Sequence, residues 1–223
     1  MATTLELIAM LREVLDDEVH PYLWTNSYLV KALTQGEEQV CRRAYALIDG
    51  DTASVCVVSI IASRATYSLH PRILQVKRIQ IGSSETPLTQ KIRDELDDEH
   101  PGWWNVYGTP EAYMIEKIGE ITFYPIPEAS DFATMVVARL PLSSLTLSGS
   151  NSPEIKDYHD DLILWGQHRA YMRNDSDTFN KELADKYEAD FTAKIGPLPT
   201  ALEERRRKTW NRNMAARPRE FGT

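Results

Sequence analysis

The chain has 223 residues, 42% of them hydrophobic and 9% aromatic, with a formal net charge of −8. That length holds one large domain or two intimate ones, and the apolar share supports a packed core rather than wholesale disorder. No apolar run approaches the ~20 residues that span a bilayer. Glu6, Glu13, Asp16, Asp17 and Glu18 stand where a secretory leader needs an apolar block, so the chain reads as soluble and intracellular.

The first helix opens on a capping box, Thr3 with Glu6, in which hydroxyl and carboxylate satisfy each other's backbone donors. Its apolar stripe is Leu5, Ile8, Leu11, Leu15 and Val19, and His20-Pro21 ends it. A second helix starts near Asn26 or Ser27 and carries Leu29, Leu33, Gly36, Val40, Ala44 and Leu47 until Asp49-Gly50-Asp51. The small Gly36 and Ala44 allow a close helix approach.

From Ala53 to Leu147 the period becomes strand-like. Ser54–Ala62 reads as a buried strand. In the next strand Ile73, Gln75, Lys77, Ile79 and Ile81 share one face, against Leu74, Val76, Arg78 and Gln80. Pro87 to Glu99 is a short helical insert. Residues 100–129 then set aromatics between turn formers, Pro101-Gly102, Gly108-Thr109-Pro110, Gly119 and Pro125-Ile126-Pro127, which predicts short antiparallel strands. Strands are expected at Ala112–Ile118, Ile121–Tyr124 and Phe132–Leu140, and Leu142–Pro153 is a linker.

Helix returns over Tyr158–Arg173, with Leu162, Trp165, Gly166, Arg169 and Ala170 on one side. Asp175 or Ser176 caps the next, whose ladder is Phe179, Leu183, Tyr187, Phe191 and Ile195. After Gly196-Pro197 and Pro199 comes a last segment from Thr200 to about Asn211. The expected fold is α+β: a four-helix bundle from residues 1–50 and 154–199, an inserted antiparallel β module at 51–153, and an extended basic tail at 200–223.

In that tail Arg205, Arg206, Arg207, Lys208, Arg212, Arg217 and Arg219 supply +7 with no acidic residue among them, leaving −15 on the rest. An acidic body repels nucleic acid, while its basic end attracts an acidic partner. Trp210 lies beside the charges, and Trp with Arg anchors interfaces. The alternative for this run is a solvated, frayed end.

Catalytic and metal motifs are missing: no phosphate loop, no nucleophile elbow, no zinc helix. His159 and His168 share a helix face beside Asp160 and Asp161 but lack a third convergent ligand, so a solvated helix start is preferred to a metal site. Asp97-Asp98-Glu99-His100 offers a carboxylate pair for hydrolysis, or an ordinary solvated loop. Trp103, Trp104, Tyr107, Tyr113, Phe123 and Tyr124 could stack on a sugar or base, but a satellite core that locks the turns is favoured. Cys41 and Cys56, on a predicted helix and a predicted strand, read as buried thiols rather than a disulfide. No catalytic residue, metal ligand or cofactor is assigned.

Several stretches carry a resemblance. They are Trp24-x-x-x-x-Leu29, the Gln39–Arg43 helix, Tyr67-x-Leu69-His70-Pro71-x-Ile73-Leu74, Leu96-Asp97 and Pro101-Gly102-Trp103. Gly108-x-Pro110-x-x-Tyr113, Tyr124-Pro125-x-Pro127, Tyr158-His159-x-x-Leu162 and Ala170-Tyr171 complete the set. In order and spacing, from about residue 24 to 192, they are similar to the head-to-tail connector (neck adaptor) proteins of tailed bacteriophages. The resemblance implies a virion component at the neck, made in the host cytoplasm, that forms a twelvefold ring between portal and tail. It implies as partners the portal protein, a tail or nozzle protein, and double-stranded DNA that passes through without sequence-specific binding; no membrane is involved. The portal-docking residues would be Arg205, Arg206, Arg207, Lys208, Trp210, Arg212, Arg217 and Arg219. The rival classes are a virion-associated peptidoglycan hydrolase and a small cytoplasmic binding module.

Overall fold

A computed structural model describes residues 2–84, 86–148, 151–175 and 177–209, without the Lys208 side chain. The chain is mixed α+β. In order it runs α1 (Thr4–Leu15), α2 (Asn26–Ala44), β1 (Ile48–Asp49), α3 (Ala53–Cys56), β2 (Val57–Ile60), β3 (Thr66–Ser68), β4 (Ile73–Ile81), β5 (Thr89–Gln90) and α4 (Arg93–Glu99). A single 3₁₀ turn, Trp103–Asn105, leads to β6 (Tyr107–Gly108), β7 (Ala112–Met114), β8 (Glu120–Tyr124), β9 (Ile126–Pro127) and β10 (Asp131–Arg139). The rest is α5 (His159–Tyr171), α6 (Lys181–Ile195) and α7 (Ala201–Thr209). Among the described residues two compact units emerge: 2–49 with 138–201, and 50–137 with 202–209.

In the helical unit α1, α2 and α6 each pack on α5. Two glycines make the crossings close. A Cβ on Gly36 would lie 3.2 Å from Trp165 Cβ, and one on Gly166 would lie 2.7 Å from Leu11 Cδ2. Gly36 thus performs the expected role, whereas Ala44 is exposed. Arg43 of α2 donates to Thr192 Oγ1 at 2.9 Å and to the Gly196 carbonyl at 3.1 Å, tying down the end of α6.

Helix α1 keeps the expected capping box but ends earlier than its stripe implies. Asp16 turns left-handed (φ 54°), and the Asp17 N–H reaches the Arg12 carbonyl at 3.0 Å, a Schellman-type closure. Arg12 and Asp17 form a buried ion pair; Arg12 also donates to the Trp24 carbonyl and Asn26 Oδ1, both at 2.7 Å, while Asp17 accepts from the Leu23 N–H at 2.7 Å. This polar knot stops the helix, so Val19 lies beyond it at 82% exposure and the buried stripe is Leu7, Ile8, Leu11 and Leu15. Helix α6 is capped by Asn180, which accepts from the Leu183 N–H at 3.1 Å, rather than by Asp175. Phe179 consequently precedes the helix and is exposed.

In the β-rich unit, β10 pairs antiparallel with β2, Asp131 opposite Ile60 through Thr134 opposite Val57, and also pairs with β4. A second sheet runs β3-β8-β7-β5. Their inner faces share a core that includes Val55, Val76, Ile79, Ile81, Tyr113, Ile121, Phe123, Met135 and Val137. The expected strand over 54–62 is shorter: the Val55 and Cys56 N–H groups bond back to Thr52, making one helical turn before β2. Cys56 therefore ends a helix; it and Cys41 are buried free thiols. In β4 the buried side switches between Leu74/Val76 and Ile79/Ile81, which breaks the uniform alternation expected there. Two short pairings, β5 with β7 and β6 with β9, are parallel rather than antiparallel. Parallel pairing needs a crossover, and α4 with the 3₁₀ turn supplies one between β5 and β7.

Candidate interaction surface

The basic C-terminal run begins on α7, where Glu203 and Glu204 occupy the first turn and the cations follow. This charge order suits the helix dipole. The helix ends against the β-rich unit: Gln90 Nε2, on edge strand β5, donates to the Thr209 carbonyl at 2.7 Å. Arg205 and Arg206 are exposed and Arg207 is half-buried. Burial, and then the positive charge of Arg207, hold the Lys77 amine of β4 below its ordinary value. The charge of Arg207 thus acts on a lysine far earlier in the chain, a coupling that no spacing in the sequence signals. The Lys208 side chain, Trp210, Arg212, Arg217 and Arg219 lie outside the described residues.

The aromatic cluster divides in three, and Tyr113 and Phe123 belong to the core between the sheets. Trp103 is 6% exposed; its Nε1 donates to Asp97 Oδ1 at 2.7 Å, and its ring meets Tyr124 edge-on. With Leu96, Ala112 and Met114 these residues make the satellite core expected for the turns. Trp104, at 56% exposure, and Tyr107 are not part of it. The reason is the 3₁₀ turn, which rotates successive side chains by about 120°, so the first indole points in and the second out. Both indoles line a groove of about 380 Å³, floored by Met114, Thr122 and Phe123 and edged by the Arg93–Glu116 and Lys117–Glu120 ion pairs.

Three of the candidate catalytic or metal-ligating groups are engaged elsewhere, whereas His159 Nε2 is buried with no hydrogen-bond partner among the described residues. Asp97 orients Trp103, and Glu99 pairs with Lys91. His168 Nδ1 lies 2.9 Å from the Ala184 carbonyl. Burial, with the carboxylates Glu37 and Glu154 behind it, pushes the Cys41 thiol up to about 12, so it carries little thiolate at neutral pH. Among the described residues no group of three or more His, Cys, Asp or Glu could hold a metal ion, and no helix is long and apolar enough to cross a membrane.

What remains are a basic helix docked on a sheet edge and an indole-lined groove, which are features of recognition. A family model described as SU10 adaptor protein matches residues 2–219. The chain belongs to this adaptor family. Membership suggests a structural, non-enzymatic protein of a bacteriophage virion, one that interacts with other virion proteins. No curated protein matches the chain. Among the described residues of this SU10 adaptor, Arg205, Arg206 and Trp104 are exposed.

Proposed function

We propose that this adaptor forms a closed twelvefold ring between portal and tail, joins the DNA-filled head to the tail, and continues the channel through which the genome is ejected. The family match over residues 2–219 carries the reading. Residues 1–50 with 154–199 act as a four-helix frame that meets neighbouring copies, 51–153 as the inserted module, and 200–223 as the segment that docks on the portal. A tail or nozzle protein takes the opposite side of the ring.

Charge supports this assignment. Residues 205–219 carry +7 against −15 on the rest of the chain. Arginine planes suit the carboxylates of an acidic partner through charge-assisted hydrogen bonds, with Trp210 as an aromatic anchor. An acidic body lets DNA slide, because a basic wall would hold phosphates by counterion release. Deleting residues 200–223 is expected to leave a folded protein that no longer joins portal-containing heads, a defect that added salt imitates in the intact protein. Normal attachment by the truncated protein would refute the docking role.

A further inference from the structure

The outer face of the β2–β10 pair is open and uncharged. Residues opposite each other in an antiparallel ladder share a side: Phe132 faces Ser59 and Thr134 faces Val57, while Ala133 and Val58 turn into the core. Val57, Ser59, Phe132 and Thr134 are exposed, as is Ile61 just beyond β2, and Val136 is half-buried. The Ile61 N–H donates to the Tyr67 hydroxyl at 2.9 Å, which fixes that end of the face. None of these six positions is charged, in a chain where charged residues make up 26%. Exposed apolar surface depleted of charge marks the core of an interface. The helical unit carries a second surface of this kind, since residues 141–148 also hold no charge. Leu145 is buried there, whereas Leu142 and Leu147 are exposed. The loop is tied down from below. The Leu142 N–H donates to Glu154 Oε1 at 2.6 Å, the other Glu154 oxygen accepts from Arg139 at 2.6 Å, and the Thr146 N–H donates to Asn151 Oδ1 at 2.8 Å. A knob ordered in this way loses little freedom on binding.

We infer that the outer face of β2 and β10 in one copy receives the 142–148 loop of the next copy, with Leu142 and Leu147 packed against Val57, Ile61 and Phe132. This rests on the ring proposed above and names two surfaces that meet in it. A second copy is the occupant because of charge. Two chains that each carry −8 repel one another, so they associate at least cost where both surfaces are neutral, as these two are. The surfaces are a flat sheet face and a protruding loop from different parts of the chain. Such a pair suits a head-to-tail contact rather than a twofold one, in which a patch must match itself.

The test uses the full-length protein, free and mixed with the purified portal protein of the same virion. One chain carries Phe132→Cys and a differently tagged chain carries Leu147→Cys, and a short bismaleimide is added. The native Cys41 and Cys56 are buried, and the parent protein serves as the blank. The expected product contains both tags; neither variant links to itself, and Ala189→Cys, exposed on α6, does not link to Phe132→Cys. In sedimentation, or in assembly on the portal if the free protein is monomeric, Phe132→Asp and Leu147→Asp should each weaken self-association about tenfold or more, as for an anchoring residue. Asn105→Asp adds the same charge at another exposed site of the β-rich unit and should leave it unchanged. Thermal melts accompany the aspartate variants, and the cysteine pair decides the outcome if either fails to fold. Closed rings on the portal in which the mixed pair does not cross-link would overturn these two surfaces and leave the ring standing. Absence of self-association, free and on the portal, would overturn the ring as well. A Phe132→Cys chain that links to itself would overturn the head-to-tail contact in favour of a twofold one. Portal binding lost in Phe132→Asp with self-association intact would give the face to another virion protein and overturn the inference.

Discussion

A carboxyl sealed inside a helical layer with one oxygen unpaired is costly to ionise, and Glu37 of α2 is such a group. Its Oε1 accepts the Glu154 and Ile155 N–H groups at 2.6 and 3.3 Å, while Oε2 is buried without a partner among the described residues. Burial is the main cause that pushes it up to about 7, partly offset by those N–H bonds, with the charges of Glu154 and Glu38 adding to the rise. A folded value above the unfolded 4.5 means that the folded state holds the proton more tightly. The contribution is therefore full below pH 4.5 and is lost as pH rises through 7, by about 3 kcal/mol in total. Glu37→Gln keeps the acceptor and cannot ionise, so urea unfolding at pH 5 and pH 8 should show the variant gaining on the parent at the higher pH. A difference that does not change with pH would contradict this. The two indoles form a second contrast at this scale. Trp103→Ala should cost ~3–5 kcal/mol as a buried aromatic truncation, and Trp104→Ala within about ±0.5 kcal/mol, as at other exposed sites. Equal losses would mean that the 3₁₀ turn does not separate them.

Elements were legible wherever one local rule acted alone. The Thr3–Glu6 capping box and the period through Leu29, Leu33, Gly36 and Val40 place α1 and α2 from sequence. Isoleucine and aromatic spacing does the same for β8. Errors arose where tertiary bonds overrode the local signal: the Arg12–Asp17 knot ends α1 before His20-Pro21, and Thr52 draws Cys56 into a turn. The switch of buried side within β4 has no counterpart in residue type, since Gln75 is buried while Lys77 is exposed. Helix packing gives a direct check. Gly36→Val should destabilise the protein by ~1–3 kcal/mol through overpacking against Trp165 Cβ and Leu162, read as a lower Tm. An unchanged Tm would show that α2 and α5 separate at no cost.

For the whole molecule, the fold class and the adaptor family were readable because turn chemistry, helical period and several short motifs recur in a fixed order. The candidate surface was readable only in part. Arg205, Arg206 and Arg207 stand out as a run, but the seat of their helix against Gln90 of β5 is set only by folding, and nothing in that short strand marks it. In the proposed reading, the +7 of residues 205–219 serves an acidic neighbour and the −15 of the rest keeps DNA from being gripped. In the proposed ring one face of each copy meets a different face of the next, which closes only where the rotation between copies completes a turn, and each contact should bury at least the ~1,200–2,000 Å² of a stable interface. The most direct measurement is electron microscopy of the full-length protein mixed with the portal protein of its virion. Closed twelvefold rings seated coaxially on the portal, with the C-terminal segment at the junction, are the expected result. Monomers or twofold dimers that leave the portal bare would contradict it.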